Sequence, residues 1–302
     1  MDALPTLSSP GLRLAATLGV AGLGALWGSF FNVCIARIPR GMSVVSPPSH
    51  CFACGARVAA WDNIPILSYF LLRGRCRHCG EKFSARHALI ETIAAALAAL
   101  IFWVFVVDAP GDPLGVRAAR FATYFAFASV LLVLSFIDLD TKRLPDIITL
   151  PSIAVFFMAG FAVHEVPWSE RAIGAAAGYL LVRIISDGYY YTTGREGLGL
   201  GDGKLLAIMG ALFGWKAIPP IVLLVSLTGI AISVPVLVLR RRGATPPSPA
   251  AEAAPSDGPP PKPVSIRRTE VPFGPFLASS ALAYLFLGKL AWAALVRLLS
   301  GE

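Results

Sequence analysis

Eight apolar stretches separated by polar ones set the plan of this chain. They run over 12–36, 88–108, 117–137, 147–164, 171–187, 203–218, 220–239 and 273–298. Crossing about 30 Å of hydrocarbon takes roughly 20 apolar residues in a helix, and most of the stretches reach or approach that length. The sixth is short, covering roughly 24 Å at the helical rise, so a thin or partly re-entrant segment is expected there. The fifth is interrupted near its end by Arg183. The pattern predicts an all-α polytopic membrane protein with about eight transmembrane helices.

Composition agrees. Of 302 residues, 56% are hydrophobic and 15% charged, far from the soluble balance. The first apolar run is not expected to be a cleavable signal. Only Arg13 precedes it, no Ala-x-Ala site follows, and the pattern carries on into Gly28-Ser-Phe-Phe-Asn32.

Charge sets the orientation. Arg37, Arg40, Arg57, Arg73, Arg75, Arg77, Lys82 and Arg86 follow the first span, Lys142 and Arg143 the third, Arg195 and Lys204 the fifth, and Arg240, Arg241 and Arg242 the seventh. The alternate loops hold mainly Asp108, Asp112, Glu165 and Glu170. The positive-inside rule therefore places the basic loops in the cytoplasm and both termini outside. The same rule accounts for the net charge of +8. No nucleic-acid reading element is apparent, and no nucleic-acid partner is expected.

Residues 39–87 are the one hydrophilic stretch long enough for a small domain. Four of the five cysteines lie here, as Cys51-Phe-Ala-Cys54 and Cys76-Arg-His-Cys79, each pair followed by a glycine, Gly55 or Gly80. Two CxxC knuckles at this spacing predict a closed four-thiolate Zn2+ site resembling a zinc ribbon. A disulfide framework fits poorly with a segment on the reducing side of the membrane. So short a domain has a marginal core, so the zinc is expected to be structural and to supply much of its stability. His50 and His78 are read as neighbours of a full ligand set, and Cys34 as a packed small hydrophobe.

The expected organisation is a first transmembrane helix over 12–38, the zinc insert over 39–87, a membrane core over 88–239, a loop over 240–270 and a last transmembrane helix over 271–298. Residues 243–263 are rich in Pro and Ala and predict a flexible cytoplasmic linker.

Two aspartates carry the candidate chemistry. Asp138 ends the apolar run that begins at Ala126, and Asp202 follows Gly199-Leu-Gly201 and opens another. Ionisable residues at a membrane edge are functional suspects by default. Asp140 and Asp146 suit a solvated turn with Lys142 and Arg143, leaving Asp138 as the deepest of the three. Gly199 and Gly201 permit unusual dihedrals and close approach of another chain. Asp202 is expected near a helix N-terminus, where capping is the plainer role for an aspartate. Both aspartates fall on the same predicted side. Two nearby carboxyls share a proton, so one can deprotonate water while the other protonates a carbonyl.

Several motifs in order now resemble the type IV prepilin peptidases, the bifunctional leader peptidases and N-methyltransferases of pilus and type II secretion systems. They are Gly28-Ser-Phe-Phe-Asn-Val-Cys-Ile-Ala-Arg-Ile-Pro39, the CxxC pairs with Trp61-Asp-Asn-Ile-Pro65, Glu91, Phe136-Ile-Asp138 with Leu144-Pro-Asp146, Gly197-Leu-Gly-Leu-Gly-Asp-Gly-Lys-Leu205 (containing GxGD), and Pro272-Phe-Gly-Pro275. The resemblance implies that Asp138 and Asp202 are the catalytic pair of an intramembrane-type aspartic peptidase in the bacterial inner membrane. It implies prepilins and pilin-like proteins as substrates, cut on the cytoplasmic side after a glycine that ends a short basic leader. It further implies methylation of the new N-terminus with S-adenosylmethionine as donor, and it links Gly74 to that activity. No glycine fingerprint for a nucleotide is visible, so methylation rests on the resemblance alone. The Pro/Ala-rich loop is longer than that family's usual connection. A transporter using the membrane-edge aspartates is the alternative, and it would require ionisable residues deeper in the spans, which are nearly bare of them.

Overall fold

A computed structural model of the chain describes residues 9–51, 53–109, 111–163, 165–194, 199–243 and 272–300. Eight helices coincide with the eight apolar stretches: α1 (Pro10–Arg37), α3 (Arg86–Phe102), α4 (Leu114–Thr141), α5 (Asp146–Val163), α6 (Trp168–Thr193), α7 (Leu200–Phe213), α8 (Ile218–Gly243) and α9 (Gly274–Ser300). A short helix, α2 (Leu67–Leu71), lies in the insert. Among the described residues no strand forms, only two isolated bridges in the insert. Most of the predicted linker, 244–271, lies outside the described residues, as does His164.

Local chemistry sets the helix ends. Ser9 caps α1, its hydroxyl accepting the Leu12 N–H at 3.2 Å, with Pro10 opening the helix. α4 ends where Lys142 turns left-handed (φ 52°) and donates its N–H back to the Asp138 carbonyl. Pro145 then delays the next helix to Asp146.

Among the described residues, four helices are long and apolar enough to cross a membrane: α1, α3 with its π-turn to Val107, α4 and α5. Close approach between helices depends on missing side chains. A Cβ on Gly24 would lie 2.6 Å from that of Ala98, and one on Gly28 would lie 2.6 Å from Glu91 Cα, so α1 and α3 meet nearly backbone to backbone. α6 crosses α7 the same way, where Gly174 faces Gly210 and Gly178 faces Leu206.

The short sixth stretch becomes α7, which is enclosed rather than exposed on one face. Leu205, Leu206, Ala207, Ile208, Met209, Ala211 and Leu212 are all buried. A helix apolar all round belongs in a core, and α5, α6, α8 and α9 pack against it. The main core joins these residues to Phe127, Leu131 and Leu134 of α4 and to Phe156 of α5.

Candidate catalytic and metal sites

The α4–α5 turn, the start of α7 and the start of α9 meet at one end of the bundle. Asp138, on the last turns of α4, is only 6% exposed, and Asp202, in the first turn of α7, only 8%. The two carboxyls lie near enough for the charge on one to act on the other.

Each element is held by identifiable contacts. Gly199 has extended backbone and caps α7, its carbonyl accepting the Asp202 N–H at 3.0 Å. Asp202 is therefore the third residue of α7, one turn inside a helix that Gly199 caps. Gly201 explains the second glycine of the motif. A Cβ there would lie 3.1 Å from the Leu144 side chain, so the glycine lets α7 start against the α4–α5 turn. The N–H of Gly274 donates to Asp138 Oδ2 at 2.8 Å.

Neighbouring acids behave differently. Asp140 takes both arms of Arg86, at 2.5 and 2.9 Å. Asp146 is paired with Lys204. Among the described residues neither Asp138 nor Asp202 has a cationic partner. Burial together with missing counter-charge separates this pair from the solvated acids beside it.

The insert brings Cys51, Cys54, Cys76 and Cys79 together, with all four sulfurs within 4.8 Å of one another. Cys51 and Cys79 Sγ are 3.8 Å apart. Bonds of about 2.3 Å in a tetrahedron put sulfurs about 3.8 Å apart, so the donor set and its spacing fit zinc. Both knuckles are built alike. Gly55 and Gly80 take φ of 70° and 72°, returning their N–H groups to the carbonyls of Cys51 and Cys76. The N–H groups of Cys54 and Ala53 hold the Cys51 thiol down to about 7. Those of Cys79 and His78 lower Cys76 below the usual thiol range. Neither His50 nor His78 belongs to the cluster. Arg77 clamps Asp62 with contacts of 2.5 to 3.1 Å and thereby ties the second knuckle to the segment after the first. That ion pair holds the Asp62 carboxyl below its ordinary range.

Gly74 is buried at φ +66°, and a Cβ there would press on the Tyr69 ring at 3.1 Å. Its carbonyl accepts the Phe83 N–H at 2.9 Å. The position therefore demands glycine on conformational and steric grounds.

Sequence reasoning did not connect Gly274 with Asp138, Arg86 with Asp140 or Lys204 with Asp146, nor foresee the bond between Glu91 Oε2 and the Ile66 N–H at 2.7 Å. Only the Phe-Gly-Pro triplet before an apolar run hinted at a helix start.

Comparison with known proteins finds relatives along most of the chain. Residues 23–105 match the family described as the bacterial peptidase A24 N-terminal domain, and residues 125–234 match the type IV leader peptidase family. A prepilin leader peptidase/N-methyltransferase of Burkholderia pseudomallei is 36% identical, over 95% of this chain and 88% of its own length. Proteins of the same name from Pseudomonas putida and Neisseria gonorrhoeae are 32% and 34% identical, covering 92% and 80% of this chain and 92% and 88% of their own lengths. No solved structure matches the chain. With both halves matched and relatives aligned along most of its length, the chain belongs to the type IV leader peptidase family.

Proposed function

We propose that this protein removes the leader peptide from prepilins and pilin-like proteins with Asp138 and Asp202 as its catalytic pair, and methylates the amine so exposed. The observation carrying the peptidase reading is that both carboxyls are buried and, among the described residues, neither has a cationic partner, while Asp140 and Asp146 beside them pair with Arg86 and Lys204. The names of the relatives support both halves of the activity.

Carboxyls this near share one proton. The ionised one takes a proton from water as it attacks the scissile carbonyl, and the protonated one donates to the carbonyl oxygen. Collapse of the tetrahedral intermediate breaks the C–N bond, and the departing amine takes up a proton from the pair. The substrate's apolar helix lies in the bilayer, and its scissile bond must unwind to react because helical hydrogen bonds shield the peptide. The basic loops beside the active site support a position at the cytoplasmic face.

Methyl transfer moves a methyl group from the sulfonium of S-adenosylmethionine to the neutral amine, releasing the thioether and a proton. Cys51, Cys54, Cys76 and Cys79 would hold a zinc ion whose chemistry is structural, since four thiolates fill its tetrahedron. The test is substitution: Asp138→Asn and Asp202→Asn each abolish cleavage while metal content and membrane insertion stay as in the wild type.

A further inference from the structure

The insert carries an apolar surface that neither the catalytic pair nor the cysteine cluster uses. Trp61, Ile64, Leu67, Phe70 and Leu71 all lie on its surface, with Phe70 69% and Leu71 73% exposed. They fall within eleven consecutive residues, over a 3-10 turn (Ala60–Asn63), the loop after it and the short α2. Arg73 and Arg75 follow at once and are also exposed. For a water-facing domain this is a large apolar patch.

The depth of the segment accounts for it. The Ile66 N–H donates to Glu91 Oε2 at 2.7 Å. Glu91 lies five residues into α3, about 7.5 Å below its start along the axis. The side chain leans back toward the helix start, which still leaves Ile66 abreast of the first two turns of a membrane-length helix. A second contact, with α1, sets Glu91 further still from a basic helix end. Gly28 packs on Glu91 and lies nine residues, about 13 Å, from the basic end of α1 at Arg37.

Ile66 also takes φ 65°, unfavourable for a β-branched residue. The carboxylate of Glu91 holds it there and satisfies an N–H that neither helix nor water would satisfy at that depth.

We propose that residues 61–71 are a membrane anchor, lying in the headgroup and upper acyl region with Trp61, Phe70 and Leu71 in lipid and Arg73 and Arg75 on anionic headgroups. Aromatic and aliphatic side chains flanked by arginines are the composition that such an interface selects. The insert is thereby seated on the bilayer rather than suspended from two helices.

The experiment places tryptophan reporters in the full-length protein, reconstituted in phosphatidylcholine vesicles containing phosphatidylglycerol. Phe70→Trp adds a reporter and Trp61→Phe removes the native one, so differences from wild type isolate each site. Both substitutions are on the surface, and unchanged metal content checks the fold. The proposal predicts that both difference signals are blue-shifted, lost when the acyl chains are brominated near the headgroup, and insensitive to acrylamide. Signals quenched by acrylamide and untouched by brominated lipid would overturn it, giving a water-facing surface. Signals shielded from both quenchers would overturn it in favour of a protein partner.

Discussion

Gly274 donates its backbone N–H to Asp138 Oδ2 at 2.8 Å, joining the start of the last helix to a carboxyl 136 residues earlier in the chain. A Cβ on this glycine would lie 2.8 Å from that oxygen and 3.1 Å from Asp138 Cγ. The substitution Gly274→Ala must therefore displace the carboxyl. Misplacement of a reacting group by about 1 Å costs about 10²-fold in rate. Initial cleavage rates should fall by that order while the protein still inserts and retains metal.

The acids of the α4–α5 turn should divide by partner. Asp140 and Asp146 form half-exposed to exposed ion pairs with Arg86 and Lys204. Such pairs contribute about 0.2–1 kcal/mol. Asp140→Asn and Asp146→Asn should leave cleavage within a few-fold of wild type. Loss of a general acid or base costs about 10²–10⁴-fold, and that loss is expected at Asp138 and Asp202 alone. Parallel rate measurements on the four variants check the division.

Gly74→Ala should damage the insert without touching the aspartates. The left-handed conformation costs a residue with a Cβ about 1–2 kcal/mol, and the Tyr69 ring must also move. The expected result is greater protease sensitivity within 39–87 and reduced methylation, with cleavage of prepilin retained. Gly74→Ala combined with Tyr69→Leu relieves the contact but not the backbone strain, so it should restore part of the protection.

Metal retention should depend on acidity with a definite sign. Hydrogen bonds from the N–H groups of Cys54 and Ala53 lower the Cys51 thiol from 9.0 to about 7. A group lowered in the folded state contributes stability that is fully present above the ordinary thiol value and lost as pH falls through about 7. Metal itself extends the thiolate range further downward. Zinc content measured by elemental mass spectrometry should be complete at neutral to alkaline pH and fall in acid. In Cys51→Ser the loss should move to higher pH.

Much of the fold was legible because apolar runs of membrane length declare themselves. The eight stretches all became helices, and α7, short as expected, is enclosed by its neighbours, which only its all-round apolar composition hinted at. The cysteine cluster was wholly legible, since CxxC spacing and the following glycines encode its local geometry. Asp138 and Asp202 could be singled out by position at helix ends. That neither has a cationic partner among the described residues could not, because Arg86 and Lys204 reach the neighbouring acids from distant elements. Ile66 is the clearest case of tertiary contacts overriding local preference. No local rule assigns a positive-φ γ-turn to isoleucine (φ 65°, ψ −55°), where the Pro65 carbonyl accepts the Leu67 N–H and Glu91 accepts that of Ile66.

The most direct test of the paired-carboxyl account is intact mass spectrometry of a prepilin incubated in vesicles with wild-type protein, Asp138→Asn or Asp202→Asn, with S-adenosylmethionine present. Wild type should remove the leader and add the mass of one methylene, and both variants should leave the prepilin whole while binding zinc as wild type does. Cleavage by either variant at close to the wild-type rate would contradict the account.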